Sequence, residues 1–158
     1  KLLVGYAKRE EMGEILERTT GGGAPEPRPV LDRETVLGHQ KLVRGVAVAP
    51  FVRDYAVRLV LATHPKTEGL SDGAFATPMV NQFVRVGGSP RAAQSLILGA
   101  KVRALLDKRT AISTDDLAAV ALPALRHRLI MNFEAEAEGV TPDRVVRNIV
   151  ETLPREQA

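Results

Sequence analysis

Gly87-Gly88-Ser89-Pro90-Arg91-Ala92 is the stretch on which the reading of this chain turns. Ser89 is suited to an N-cap, and Pro90 fits the first helical position because its missing N–H would have no partner there. The two glycines let the backbone turn into the helix. Beyond them Ala93, Leu96, Ile97, Ala100, Ala104 and Leu105 recur at spacings of three and four, which predicts a helix from Pro90 to about Lys108 with one buried face. Lys108 and Arg109 supply the charge a helix C-terminus favours. Arg91 falls in the first turn, where unpaired N–H groups and the positive end of the dipole already favour an anion. Its guanidinium adds a planar fork of donors that matches phosphate oxygens. The plainer alternative is a capped helix whose arginine is solvated.

On the C-terminal side, Ala111-Ile112 is β-prone, and Ser113 or Thr114 caps a short helix through Asp115, Asp116, Leu117 and Val120. Pro123 permits a further short helix carrying Leu125-Arg126-His127-Arg128-Leu129, and Thr141-Pro142-Asp143 starts one with Val145, Val146, Ile149, Val150 and Leu153 inward. On the N-terminal side, residues 65–88 read as a long ordered loop in which Met79 to Val84 could form a turn or two of helix. A helix opened by Pro50 precedes it, with Val52, Tyr55, Ala56, Leu59 and Val60 as its stripe and Arg53, Asp54 and Arg58 toward water. Val46-Ala47-Val48 is a second β-prone piece, which could pair with Ala111-Ile112. Asp32 caps a helix with Val36, Leu37 and Val43 inward, and residues 21–31, rich in glycine and proline, form a linker. Lys8 to Arg18 is helical by the spacing of Met12, Ile15 and Leu16, stopped at Gly21-Gly22-Gly23. Leu2 to Tyr6 reads as a strand with no partner nearby, orphaned from a larger sheet, so the chain reads as a fragment.

Composition narrows the class. With 158 residues and 44% apolar content one core of ordinary size is affordable, and 4% aromatic residues suit helices packed on helices. The expected fold is mainly α, a small helical bundle with at most short β segments. The chain has no cysteine, which excludes disulfides, thiolate metal sites and cysteine nucleophiles. His39, His64 and His127 show no spacing that would place two ligands on one helical face, so no metal is expected. Net charge is +3, yet the cations are interleaved with carboxylates, which argues against nucleic-acid binding. No apolar run approaches the ~20 residues of a membrane span and no signal peptide opens the chain, so the setting expected is cytoplasmic.

Taken together, Val4-Gly5-Tyr6 leading into Glu11 to Leu16, Gly88-Ser89-Pro90-Arg91-Ala92, Ala104-Leu105-Leu106 with Arg109, Ser113-x-x-Asp116-Leu117 and Leu125-Arg126-His127-Arg128 resemble the C-terminal part of a MoxR-type AAA+ ATPase, nearly end to end. The resemblance implies that residues 7–158 are the helical lid domain and that residues 1–6 are a remnant strand of an α/β core lying outside this chain. It implies that Ser89, Pro90 and Arg91 bind nucleotide, with Arg91 the sensor-two residue that reaches the γ-phosphate of ATP. It further implies ATP and Mg²⁺ as cofactors, a homo-oligomer in the form of a hexameric ring, a von Willebrand A-type partner, and ATP hydrolysis that drives remodelling or maturation of client proteins. The departures are equally plain. No phosphate loop and no apolar strand ending in an acidic pair occur, the family's arginine finger would lie upstream of Lys1, and Ala7 stands where a proline is expected. This chain alone is therefore expected neither to hydrolyse ATP nor to bind it tightly.

The competing reading is a freestanding helical adaptor that docks a partner helix along its apolar stripes. An independent hydrolase built on Ser89, His127 and Asp116 is disfavoured, because Ser89 has no nucleophile-elbow context. Arg126, His127 and Arg128 would point about 100° apart on a helix, so they read either as a structural cluster meeting carboxylates such as Glu134 and Glu136 or as a subunit interface.

Overall fold

Caps and prolines set most of the helix starts in the computed structural model, which describes residues 1–22 and 26–155. The helices are α1 (Arg9–Thr20), α2 (Arg33–Gly45), α3 (Pro50–Leu61), α4 (Pro78–Phe83), α5 (Pro90–Leu106), α6 (Thr114–Leu125), α7 (Phe133–Ala137) and α8 (Pro142–Thr152). Asp32, Thr77, Ser113, Asn132 and Thr141 each accept a hydrogen bond from a first-turn N–H, which satisfies a donor the helix itself cannot. Pro50, Pro78, Pro90 and Pro142 open four of the helices, as their fixed φ allows. The fold is mainly α, as composition requires.

The central helix is α5. It packs on α6, where Gly99 lies against Val120, and its small residues Ala92, Ala100 and Ala104 are fully buried. α3 covers its other side with Val52, Tyr55, Ala56, Leu59 and Val60, the stripe that periodicity indicated. α8 closes the bundle against α6 with Val145, Val146 and Ile149. Each fully buried Leu or Ile at this junction contributes on the order of 1.5–3 kcal/mol.

Two β pairings staple the bundle. The first joins Ala47 to Ala111 in a parallel bridge, so the two β-prone pieces do meet. The second, not anticipated from the sequence, pairs β1 (Val84–Val86) antiparallel with β2 (Ile130–Met131), in the register Val84 to Met131 and Val86 to Ile130. Residues 65–88 are accordingly not one loop. α4 and β1 occupy their second half, because Thr77 and Pro78 give a capped helix start and β2 gives β1 its ladder.

Leu2 to Tyr6, expected to be parted from its sheet, stands exposed and pairs with no strand among the described residues. Other expectations need correction. Val36 and Leu37 of α2 are exposed rather than inward, and only Val43 is half-buried. Of the 21–31 linker, residues 23–25 lie outside the described residues, and the end of the chain at 156–158 does as well. Arg58 is buried, not solvated. Its guanidinium lies 5.4 Å from the Tyr55 ring centroid and donates to Asp54 and to the carbonyls of Pro154 and Arg155, so each of its nitrogens has an acceptor. Pro123 opens no helix; α6 runs through it to Leu125, where one missing hydrogen bond near a helix end is tolerated.

α5 stops at Leu106 rather than Lys108. Lys108 takes φ +58°, its N–H returns to Leu105 O (2.9 Å) and the Arg109 N–H to Ala104 O (2.7 Å). This is a Schellman termination built without glycine, and it turns Arg109 back toward α6.

Candidate functional site

The start of α5 is fixed from outside the helix. Ser89 holds the N-cap position with extended backbone, but its side chain makes no cap hydrogen bond. The work falls to the end of α3. The Gly88 N–H donates to Thr63 Oγ1 (2.8 Å), that hydroxyl donates to Val60 O (2.6 Å), and His64 Nε2 lies 2.6 Å from Gly88 O. A carbonyl only accepts, so Nε2 carries the proton. The glycines permit this closeness. A Cβ on Gly87 would fall 2.4 Å from both Thr63 O and His64 Cδ2, and one on Gly88 3.1 Å from Ala92 Cβ. Neither has positive φ, so both are required for close approach rather than for turn geometry.

Ser89, Pro90 and Arg91 emerge from this clamp onto the surface, all three exposed. Among the described residues Arg91 belongs to no ion pair, whereas Arg58, Arg103, Arg109 and Arg126 are each held by a carboxylate. What the arrangement offers is one free guanidinium in the first turn of a 17-residue helix, with the dipole's positive end behind it.

The 126–128 segment is a 3₁₀ turn between α6 and β2, and its three side chains meet different partners. Arg126 pairs with Asp143 at 3.0 Å, so the carboxylate that meets the cluster is neither Glu134 nor Glu136; Glu134 instead accepts from Gln82. Arg128 donates to Ala124 O and to Ser95 Oγ (both 2.9 Å), and Ser95 in turn donates to Arg91 O. Thus Arg128 ties this turn to the first turns of α5. His127 is exposed beside a 270 Å³ pocket, where desolvation, then Arg128 and Lys1, hold its imidazolium below the usual histidine range. Arg126 and Arg128 thus make contacts within the fold, and Arg128 is the member that reaches the Arg91 helix.

The far end of α5 is locked by a bidentate ion pair on a buried carboxylate. Asp116, buried, takes a bidentate fork from Arg109 (2.7 and 2.8 Å) and accepts from the Ser113 N–H and hydroxyl. Arg109 above all, with the Ser113 bonds, holds this carboxyl well below the usual carboxylate range against the opposing effect of burial. Asp116 is thereby unavailable to any Ser89–His127 dyad. Among the described residues no three His, Asp or Glu side chains gather where they could hold a metal ion.

An arginine at the head of a helix in an α bundle does not by itself name a family, but residues 77–149 match the family described as the AAA lid domain. Along nearly the whole chain the similarity extends to Chaperone MoxR1 of Mycobacterium tuberculosis, 32% identical over 154 residues, 97% of this chain and 39% of that protein. The chain belongs to the MoxR-type AAA+ family. Protein MoxR of Paracoccus denitrificans is 32% identical over 102 residues, 62% of this chain and 29% of that protein. The crystal structure of a "putative ATPase" from Cytophaga hutchinsonii superposes with a TM-score of 0.73 at 26% identity, over 96% of this chain and 44% of that one. The MoxR-type lid described here thus spans less than half of each of these relatives. Within it, the residues that sequence reasoning missed are Thr63 and His64. The signal was present in the Gly87-Gly88 pair, which announces a close backbone approach without naming what approaches.

Proposed function

We propose that this chain is the lid of a MoxR-type ATPase and that Arg91 is its sensor-two arginine, reaching the γ-phosphate of ATP held on a separate core domain. The observation that carries this reading is the placement of Arg91: exposed, in no ion pair among the described residues, at the head of the longest helix, on a start clamped by α3. Ser89, Pro90 and Arg91 would form the lid's edge of the nucleotide site, and the core would hold Mg²⁺. Bound there, ATP supplies a phosphoryl group whose hydrolysis releases the energy for remodelling client proteins. Arg91 neutralises charge on the terminal phosphate and reports its presence to the lid. On this reading residues 7–158 form the lid and residues 1–6 continue into the core. The protein works as a ring of identical subunits, a hexamer, in the cytoplasm, with a von Willebrand A-type partner.

Support for the division of labour comes from what the rest of the lid does with its cations. Those of Arg58 and Arg109 are engaged in the fold, so their loss would destabilise the lid, whereas Arg91 contributes little to packing. The test is steady-state ATP turnover of the full-length protein beside its melting curve. Arg91→Ala should cut turnover strongly at unchanged melting temperature and assembly state. Arg91→Lys should restore it only in part, because a point charge cannot contact two oxygens as a fork does. Wild-type turnover in Arg91→Ala would remove Arg91 from the site.

A further inference from the structure

We propose that Thr63 and His64, at the end of α3, are positioning residues that aim the Arg91 helix, a role that rests on Arg91 facing the nucleotide. Three observations converge on them. Ser89 gives α5 no side-chain cap, so nothing within the helix fixes the direction in which its first turn leaves. Thr63 Oγ1 and His64 Nε2 instead hold both backbone groups of Gly88, three residues before Arg91, at 2.8 and 2.6 Å. Gly87 has no space for a side chain, because a Cβ there would fall 2.4 Å from both Thr63 O and His64 Cδ2, so its backbone lies directly against the same two residues.

The hydroxyl of Thr63 is fully engaged, accepting from Gly88 and donating to Val60 O, and the residue is completely buried. It is the rigid half of the clamp. His64 is half-buried and also lines an open cavity of 850 Å³ formed with Lys66 to Asp72. It is the half of the clamp that can be changed without opening the core. A phosphate-facing arginine is sensitive to such support, because displacement of a charged group by about 1 Å can cost up to a hundredfold in rate.

Two measurements test the assignment. The first needs no nucleotide: amide hydrogen exchange of the Gly88 and Ala92 N–H groups in this chain. His64→Leu should speed both by about tenfold while core amides such as that of Ala100 keep their protection; His64→Gln, whose side-chain N–H can reach the same carbonyl, should largely restore it. Thr63→Val, which keeps the shape but removes the hydroxyl, should speed Gly88 exchange further. Unchanged Gly88 and Ala92 exchange in His64→Leu would overturn the clamp. The second is a double-mutant cycle on ATP turnover of the full-length protein. His64→Leu should lower kcat by about tenfold with little change in KM, and should cost nothing more in an Arg91→Ala background. Equal losses in both backgrounds would show that His64 acts on the fold and overturn its positioning role. If Arg91→Ala alone left turnover intact, the sensor reading and with it the role assigned to His64 would fall, while the exchange data would still decide whether the clamp exists.

Discussion

α1 and α3 are each 12 residues long and each carries apolar residues at helical spacing, yet α3 buries six residues and α1 buries none. Met12, Ile15 and Leu16 remain about half exposed, at 47%, 47% and 54%. α2 resembles α1: its cap is well made by Asp32, and it too buries no residue. The difference teaches that an amphipathic pattern declares a face without supplying its cover. In α3 the cover is α5, a helix from later in the same chain. In α1 no described residue provides it, and on the proposed reading the core domain does.

The sharpest way to break this comparison is to truncate one leucine in each region. Leu59→Ala, in the fully buried stripe of α3, should cost about 3–4 kcal/mol, a fall of roughly 10 °C in Tm. Leu16→Ala should stay within about 0.5 kcal/mol in this chain. Similar shifts in a thermal melt would mean that α1 is packed after all.

Next in size is the lock between α5 and α6. Asp116→Asn should destabilise by about 2–4 kcal/mol, since it leaves Arg109 without its fork partner, partly offset by the access Arg109 has to water. Because the folded-state pKa of Asp116 is depressed, its contribution is fully present above the unfolded value near ~3.9 and is lost as pH falls below it. The gap between wild type and Asp116→Asn should therefore narrow between neutral pH and about pH 3 in denaturant titrations. A gap independent of pH would contradict the ion-pair account.

The smallest effect separates two helix starts that look alike in sequence. Thr141→Ala should cost about 1 kcal/mol, because Thr141 Oγ1 accepts from the Arg144 N–H. Ser89→Ala should change stability by no more than about 0.3 kcal/mol, because its hydroxyl caps nothing and the clamp from α3 does the holding. Equal costs in a chemical melt would restore the ordinary cap at Ser89.

Caps, prolines and spacing act within a few residues of themselves, which is why the sequence alone determined α2, α3, α5 and α8, their starts at Asp32, Pro50, Pro90 and Thr141, and the place of Arg91 in a first turn, though not α7. The inward faces of α3 and α8 were equally legible, because most of their stripe residues have no polar alternative. What only the tertiary structure decided depends on partners distant along the chain. The ladder of β1 comes from residues more than forty positions later, and Arg58 is buried because carbonyls near the chain's end await it. Asp143, not Glu134, reaches Arg126, and Thr63 and His64 meet Gly88 across 25 and 24 positions. Local chemistry writes where a helix begins, but which groups hold that beginning in place is a matter of which surfaces the packed chain brings together.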